Sequence, residues 1–253
     1  MDIKIIVATH KPYWMPDDSM YLPLHVGAEG KESLGYIPDN TGDNISCKNA
    51  NYCELTGLYW AWKNLDADYI GVSHYRRYFT EKKTKNKREC IIKREALEKE
   101  LATTDIILPI QRNYYIETNY KQYIHAHHEI DLEKTREILS RIYPEYIPAY
   151  DRSMQRTKGH RFNMFIMKKP LYDDYCEWLF TILFQLEKEL DISDYNVNDA
   201  RVFGFVSERL LDPWIETRKL KYKELPVVFM ENEHWLKKGI NFIKRKFIGK
   251  KEE

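Results

Sequence analysis

The chain has 253 residues, of which 43% are hydrophobic and 31% are charged, and its formal net charge is +1. This composition indicates a folded globular protein and excludes an intrinsically disordered chain. No apolar stretch approaches the roughly 20 residues that a membrane-spanning helix needs. No secretory signal precedes the first apolar run, so we expect a cytoplasmic protein whose four cysteines are reduced.

Short apolar runs alternate with stretches of helical periodicity along the chain. The apolar runs predict strands at residues 4–8, 69–73, 105–109 and 225–229, with a mixed polar and apolar strand at 159–168. The helical stretches lie at residues 44–64, 93–101, 171–189 and 198–214. Residues 13–46 are rich in Pro, Gly, Asp and Asn and predict a long irregular binding loop. This order predicts one α/β domain, residues 1–234, with a mostly parallel central sheet flanked by helices.

Polar side chains follow two of the predicted strands at their carboxyl ends. They are Thr9, His10 and Lys11 after the first strand, and His74, Arg76 and Arg77 in the run DYIGVSHYRRYF. Open α/β sheets bind ligands outside the carboxyl ends of their strands. Two adjacent arginines can present several fixed donors to a phosphate or a carboxylate. The alternative is that these residues form a solvated surface after each strand.

The sequence contains no strong metal-binding motif. Residues 66–68 spell Asp-Ala-Asp, but they precede their strand and indicate a turn between a helix and that strand. His125, His127 and His128 lack the His-Glu-x-x-His spacing of a zinc site. If a divalent metal such as Mn²⁺ or Mg²⁺ is bound, His74 is the candidate ligand. Phosphate-loop, dinucleotide-binding and serine-hydrolase motifs are also absent.

Two residues in the predicted helices have a local interpretation. Glu54 falls three residues after Asn51, which is the spacing of a capping box at a helix start. The alternative role for Glu54 is a contact with a ligand. Gly204, which lies in the helix predicted at 198–214, allows a neighbouring element to approach closely.

The C-terminal residues 235–253 form a basic tail. Residues 235–251 contain seven Lys or Arg and no acidic residue, which leaves the preceding body mildly acidic. Apolar side chains recur at helical spacing in this tail, at Leu236, Ile240, Ile243 and Phe247. The pattern predicts a basic amphipathic helix that attaches to an anionic membrane surface. The alternative is a solvated helix that packs on the body.

Several sequence blocks resemble a bacterial family of capsular and exopolysaccharide biosynthesis that was long catalogued as a domain of unknown function. The blocks are THK, NISCKN with ELTGLYWAWKN, DYIGVSHYRRYF, NMFIMKK, YCEWLF with ILFQLE, and RVFGFVSERLL. The resemblance covers nearly all of residues 4–229. It implies a glycosyltransferase with a GT-A-like fold, in a family whose members include galactofuranosyltransferases that use UDP-galactofuranose.

The resemblance also implies which residues contact a nucleotide-sugar donor. Residues expected near the nucleotide and its base are Thr9, His10, Lys11, Val26 and Gly27. Residues expected elsewhere along the donor are Asn44, Lys48, Asn49, Glu54 and Asn163, of which Asn163 would line the sugar pocket. His74, Arg76 and Arg77 would lie near the diphosphate.

Glu208 is the candidate catalytic base, because related transferases often place an acceptor-side carboxylate in a late helix. Asp199 is the substitute candidate. The alternative for both carboxylates is a structural ion pair with Arg201 or Arg209.

These expectations combine into one function with two alternatives. We expect an inverting transfer of galactofuranose or another hexose from a UDP-sugar to a hydroxyl of a growing cell-surface glycan, at the inner face of the cell membrane. The expected acceptor is an oligosaccharide or a lipid-linked glycan. The first alternative is a non-catalytic assembly protein that binds polysaccharide through its 19 Tyr and 6 Trp. The second is a nucleic-acid binder, which the charge profile disfavours because the basic residues concentrate in the tail rather than on a folded face.

Overall fold

A computed structural model describes residues 1–81 and 86–231. The predicted basic tail, residues 235–253, lies outside the described residues. The strands are β1 Ile3–Thr9, β2 Tyr21–His25, β3 Ile37–Pro38, β4 Tyr69–His74, β5 Arg77–Phe79, β6 Ile106–Pro109, β7 Arg112–Asn113, β8 Lys158–Gly159, β9 Phe165–Lys168, β10 Lys223–Leu225 and β11 Val227–Phe229. The helices are α1 Asn49–Tyr52, α2 Leu55–Asn64, α3 Arg94–Leu101, α4 Asn119–Ile124, α5 Glu129–Ile142, α6 Ile147–Gln155, α7 Lys169–Glu189, α8 Val202–Ser207 and α9 Leu211–Thr217.

A mostly parallel sheet forms the centre of the fold, in the strand order β10-β6-β9-β4-β1-β2-β3. β1 pairs in parallel with both β2 and β4, and β6 pairs in parallel with β10. β9 is the exception in this row, because it runs antiparallel between β4 and β6. The predicted α/β class with a mostly parallel sheet is confirmed.

The parallel pairing brings the carboxyl ends of three strands to one edge of the sheet. Ala8 near the end of β1 lies opposite His74 at the end of β4. The backbone N–H of Tyr75 donates to the Ala8 carbonyl oxygen at 3.2 Å, and the N–H of Val26 donates to the Thr9 carbonyl oxygen at 2.9 Å. The polar groups that follow β1 and β4 are therefore neighbours in space.

Alternate residues of β1 face two different hydrophobic cores. Ile6 belongs to the larger core, which also contains side chains of α2 and α7, whereas Ile5 and Val7 belong to the smaller core beside α3. Both faces of the strand are buried, which explains its continuous apolar run. α2 lies close to the sheet because Gly57 has no side chain, and a Cβ atom there would lie 2.8 Å from Val26 Cγ1.

Several predicted elements are broken in the structure. The helix predicted at 44–64 is a 3-10 turn followed by α1 and α2, and Cys53 between the two helices has a φ of 53°. The helix predicted at 198–214 is likewise divided into a 3-10 turn, α8 and α9. The strand predicted at 159–168 is interrupted. Its first residue belongs to the short strand β8, and residues 165–168 form β9. The strand predicted at 225–229 is β10 and β11, separated by Pro226.

The irregular loop predicted at 13–46 is only partly irregular, because it contains β2 and β3 of the central sheet. Polar residues and prolines around these short strands conceal them in the sequence. None of the helices in the described part of the chain has the length and apolarity that crossing a membrane requires.

Candidate active site

A cleft of about 740 Å³ opens at the carboxyl ends of β1 and β4. The opposite wall comes from the corner between α1 and α2 and from α8 with the residues that follow it. Six arginines and two glutamates line the cleft: Arg76, Arg77, Arg112, Arg161, Arg201, Arg209, Glu54 and Glu208. The excess of guanidinium groups makes the cleft suited to a ligand that carries several negative charges.

A tight turn at Phe162 and Asn163 organises the centre of the cleft. Both residues adopt left-handed backbone conformations, with φ values of 78° and 50°. The Phe162 carbonyl oxygen accepts from His74 Nε2 at 2.6 Å, and the Phe162 N–H donates to Glu208 Oε1 at 3.0 Å. Asn163 Nδ2 donates to Glu54 Oε1 at 2.7 Å. One turn thus brings an imidazole and two carboxylates together.

The surroundings over-determine this turn, which a non-glycine residue enters only at a cost of about 1–3 kcal/mol. Asn163 Nδ2 also donates to the Gly204 carbonyl oxygen at 3.1 Å, and the Ser207 hydroxyl donates to Asn163 Oδ1 at 2.9 Å. Asn163 is 7% exposed. Its side chain therefore joins Glu54 to α8 from beneath the cleft, and its predicted contact with the sugar stays a prediction.

Glu54 has no capping role in the structure. It precedes α2, but its side chain makes no capping hydrogen bond. Its carboxylate instead accepts from Asn163 inside the cleft. The capping-box interpretation is wrong, because the left-handed Cys53 separates α1 from α2.

The residues after β1 and β4 form one aromatic and cationic cluster around Tyr75. The His10 ring meets the Tyr75 ring edge-on at 5.5 Å between centroids, and Lys11 Nζ lies 5.1 Å from the same ring. The Arg76 guanidinium lies 5.3 Å from that ring, and its Nη1 is 3.4 Å from Glu231 Oε2. His10, Tyr75 and Arg76 line the cleft.

Thr9 and Arg77 support this cluster in different ways. Thr9 is 1% exposed, and its hydroxyl donates to the Lys11 carbonyl oxygen at 2.7 Å, so it shapes the loop from inside. Arg77 lines the cleft, and its guanidinium lies 4.5 Å from the centroid of the Phe162 ring. That contact places a cation directly beside the central turn.

Val26, Gly27 and Asn49 lie together at the edge of the cleft formed by β2 and α1. Val26 and Asn49 line the cleft. Gly27 has a φ of 65°, and a Cβ atom there would lie 2.3 Å from Asn49 Oδ1. Only glycine fits this position.

Seven of the predicted site residues do not line the cleft: Thr9, Lys11, Gly27 and Asn163, described above, and Asn44, Lys48 and Asp199. Asn44 is part of a turn, where its Oδ1 accepts from the Ser46 N–H at 3.1 Å. Lys48 Nζ donates to Glu187 Oε1 on α7 at 2.6 Å. Asp199 is 7% exposed and holds His127, whose Nδ1 lies 3.1 Å from Asp199 Oδ1.

Among the described residues, His127 is the cleft-lining side chain that Asp199 contacts. Burial favours the neutral acid, yet hydrogen bonds with His127 and Asn196 leave the pKa of Asp199 below its usual value. The His127 ring lines the cleft and stacks on Phe205 with centroids 4.2 Å apart. Asp199 is therefore an ionised carboxylate that positions an imidazole.

Comparisons with known proteins identify the family. The profile of a family described as a domain of unknown function, DUF4422, matches residues 4–219. The chain belongs to the DUF4422 family. A solved apo structure of the WbbM bifunctional glycosyltransferase is similar to it, with a TM-score of 0.85 and 34% sequence identity over 92% of this chain. The chain spans 46% of that WbbM chain. A comparison with curated proteins finds no match. The family resemblance seen in the sequence blocks is confirmed.

In this DUF4422 chain, the residues around His74 do not fit a site for Mn²⁺ or Mg²⁺. These ions prefer several free oxygen ligands, whereas His74 Nε2 is hydrogen-bonded to the Phe162 carbonyl oxygen, and the neighbouring carboxylates Glu208 and Glu54 accept from the Phe162 N–H and the Asn163 amide. Within residues 1–81 and 86–231, no three or more His, Cys, Asp or Glu side chains are grouped to hold a metal ion. Metal dependence stays a prediction, which a transfer assay with and without a chelator tests.

Sequence reasoning missed three arginines of this DUF4422 cleft, one directly before the Phe162 turn and one on each side of α8. Arg161, Arg201 and Arg209 line it, although the sequence suggested structural ion pairs for the latter two. Arg201 Nε lies 3.1 Å from Cys53 Sγ, and burial with the nearby Glu54 charge raises the pKa of the Cys53 thiol to about 11. The arginines do occur within conspicuous blocks, GHRFNMF and RVFGFVSERLL, which was the available signal.

The three histidines of the cleft predict a loss of stability in mild acid. Burial, as the largest cause, lowers the pKa of His10, His74 and His127 below the ordinary 6.5. The unfolded chain therefore binds more protons than the folded chain once the pH falls below about 6.5. We expect the free energy of unfolding, measured in urea, to fall as the pH decreases from about 7.5 to about 5. The pKa of Asp199 lies below its usual value of 3.8, so this carboxylate affects the free energy of unfolding at a lower pH than the histidines do.

His127→Gln is the matched variant for this prediction. It removes one titrating imidazole, so its stability should change less between the two pH values than that of the wild type. A wild-type stability that is constant or higher in mild acid would contradict the prediction.

Proposed function

We propose that the chain is a glycosyltransferase that transfers a hexose, with galactofuranose as the first candidate, from a UDP-sugar to a hydroxyl of a growing cell-surface glycan. One observation carries this proposal: the side chains of Glu54, Glu208 and His74 all form hydrogen bonds to the Phe162–Asn163 turn, inside an arginine-lined cleft. The similarity to the WbbM bifunctional glycosyltransferase supports it.

The proposed reaction needs a base for the acceptor hydroxyl and cationic groups that stabilise the leaving diphosphate. Glu208 takes the proton of the acceptor hydroxyl, and the acceptor oxygen forms a bond to the anomeric carbon of the donor sugar. The bond from that carbon to the diphosphate oxygen breaks, and its electron pair leaves with UDP. Attack from the face opposite the diphosphate inverts the anomeric configuration. Arg76 and Arg77 offset the charge that develops on the leaving diphosphate.

The geometry supports Glu208 as the base. The Phe162 N–H and Arg209 Nη1 hold its two oxygens, at 3.0 Å and 3.1 Å, so the carboxylate has a defined orientation. Its side chain keeps 23% of its exposure, which leaves an approach for an acceptor hydroxyl. Glu54 is the second carboxylate of the turn and the direct rival for this role.

Removal of the Arg76 guanidinium tests the diphosphate assignment. We expect Arg76→Ala to lower the affinity for UDP by about tenfold or more, because a hydrogen bond to a charged group contributes about 1.5–3 kcal/mol. The affinity for uridine, which lacks phosphates, should change by less than about twofold. Isothermal titration calorimetry measures both, with Arg136→Ala as control, since Arg136 pairs with Asp151 on the exposed surface.

Two results would count against the proposal. Equal losses for UDP and uridine would remove the diphosphate role of Arg76. An absence of UDP binding at millimolar concentration would contradict the glycosyltransferase proposal itself and would favour the non-catalytic polysaccharide-binding alternative.

Membrane attachment through the basic tail is part of the proposal. The seven Lys or Arg of residues 235–251 and their apolar spacing support binding to anionic lipid at the inner face of the cell membrane. Co-sedimentation with anionic vesicles checks this: the full chain should bind, and a chain that lacks residues 235–253 should remain in the supernatant. Equal binding by both chains would contradict it.

A further inference from the structure

Two adjacent buried arginines form part of the cleft wall. Arg161 and Arg209 are only 3% and 5% exposed, and both line the cleft. Both also bind Glu208: Arg161 Nη1 donates to its backbone carbonyl oxygen at 3.0 Å, and Arg209 Nη1 donates to its Oε2 at 3.1 Å. Two guanidinium groups thus converge on the proposed base.

Arg161 is bound by neutral groups. Its other hydrogen bonds go to the His160 carbonyl oxygen at 2.6 Å, to the Tyr114 hydroxyl at 3.3 Å and to the Asn119 side-chain oxygen. No carboxylate forms an ion pair with Arg161 in the part of the chain that the structure describes. Burial, together with the charge of Arg209, lowers the pKa of Arg161. A buried guanidinium without a carboxylate partner is costly unless another anion compensates it.

Arg209 leaves one of its donors unused. Its Nη2 donates to Gln122 Oε1 at 2.6 Å, and its guanidinium lies 5.3 Å from the centroid of the Tyr123 ring. Its buried Nε has no hydrogen-bond partner among the described residues. The pair carries two positive charges. Among the described residues, Glu208 supplies the carboxylate that contacts the pair, through Arg209, while Asp212 is a further negative charge near Arg161 that forms no ion pair with it.

We propose that Arg161 and Arg209 form an anion subsite that binds a carboxylate or phosphoryl group of the acceptor. The inference rests on the proposed glycosyltransferase function, and it adds that the acceptor is negatively charged. The subsite belongs to the acceptor because Arg209 contacts Glu208, which must reach the acceptor hydroxyl. The donor diphosphate is assigned to the other cationic cluster, formed by Arg76 and its neighbours around Tyr75. An acceptor held by its anionic group would present its hydroxyl to Glu208.

Calorimetry on the full chain saturated with UDP tests this subsite. The probes are methyl β-glucuronoside for a carboxylate, methyl phosphate for a phosphoryl group, and neutral methyl β-glucoside as the control ligand. We expect at least one anionic probe to bind about tenfold more tightly than the neutral probe. The more tightly bound anion identifies an acidic sugar or a phosphoryl group as the source of the charge.

Variants locate the binding on the two arginines. Arg161→Gln and Arg209→Gln should each lower the affinity for the anionic probe by about tenfold, while the affinity for UDP changes by less than about twofold. Arg209→Lys keeps a cation, so its affinity for the anionic probe should fall less than that of Arg209→Gln. Arg136→Gln, on the exposed surface, is the control. If Arg161→Gln does not fold, as judged by circular dichroism, the two Arg209 variants decide alone.

Three results would overturn the subsite. They are no preference for an anionic over a neutral probe, displacement of the anionic probe by UDP, and unchanged probe binding in the Arg209 variants. Failure of the proposed function gives a different result, namely no UDP binding. In that case the same probes titrated into the UDP-free protein still decide whether Arg161 and Arg209 bind an anion.

Discussion

Glu208→Gln should lower kcat by about 10²- to 10⁴-fold, the usual contribution of a general base. The amide has nearly the same size as the carboxylate, and its oxygen can still accept from the Phe162 N–H. Its NH₂ group replaces the oxygen that accepts from Arg209 Nη1, but the Glu208 side chain is 23% exposed, so water can take the freed donor. The fold and the UDP affinity should therefore remain close to those of the wild type, and the loss should appear in turnover. Steady-state transfer assays with calorimetry of UDP on the same preparation measure the two effects separately.

Glu54→Gln is the matched variant, because both carboxylates bind the same turn. Its amide oxygen can still accept from Asn163 Nδ2. We expect a loss of kcat below about tenfold, since this variant keeps the hydrogen bond and leaves the proposed base in place. The reverse pattern would assign the base to Glu54. Nearly full activity in both variants would contradict a carboxylate base in this cleft.

Local sequence patterns predicted the central elements well. β1, β4 and β6 are confirmed because each is a short apolar run covered on both faces, a property that the residues themselves display. α3 and α7 are confirmed because their apolar residues recur at the helical period over two turns or more.

The errors cluster where tertiary contacts hold the backbone in unusual conformations. Cys53 and Phe162 have positive φ values although neither residue type favours them. A run such as GHRFNMFIMK therefore predicts a continuous strand, whereas the structure turns sharply at Phe162 and Asn163. The partners that stabilise this turn, His74 and Glu208, are 88 and 46 residues away in the chain. No local pattern can indicate them.

The same reason limits the prediction of the site. The sequence placed His74 and Arg76 at the end of a strand, and both line the cleft. It could not show that Arg161 and Arg209 are buried side by side, because that depends on how α8 and the Phe162 turn pack together. It also gave no sign of Asp39, which is completely buried.

Asp39→Asn is expected to have the largest effect on stability. The Asp39 carboxylate is 0% exposed and accepts from the Gly27 N–H at 2.8 Å, from the Ala28 N–H at 3.0 Å and from the Thr56 hydroxyl at 2.6 Å. The Ser46 hydroxyl is a further donor to it. Asparagine replaces one acceptor oxygen by an NH₂ donor, which leaves at least one buried N–H or O–H facing another donor. The free energy of unfolding should fall by about 3 kcal/mol.

Thermal and urea unfolding measure this loss, with Asp43→Asn as the matched control. Asp43 lies in the same segment, but it is exposed, and its carboxylate accepts a hydrogen bond from the Tyr59 hydroxyl at 3.2 Å. The control should change the free energy of unfolding by less than about 0.5 kcal/mol. Equal effects of the two substitutions would show that the buried network around Asp39 contributes little.

The Asp39 variant should also bind UDP more weakly. Its carboxylate fixes the Gly27 and Ala28 N–H groups, and Val26 beside them lines the cleft. Thr56 connects the same carboxylate to α2, so one buried anion joins the β2 edge of the cleft to the helix that begins beside Glu54. A variant that loses stability but keeps the wild-type affinity for UDP would separate the two roles, and would remove the loop after β2 from the donor site.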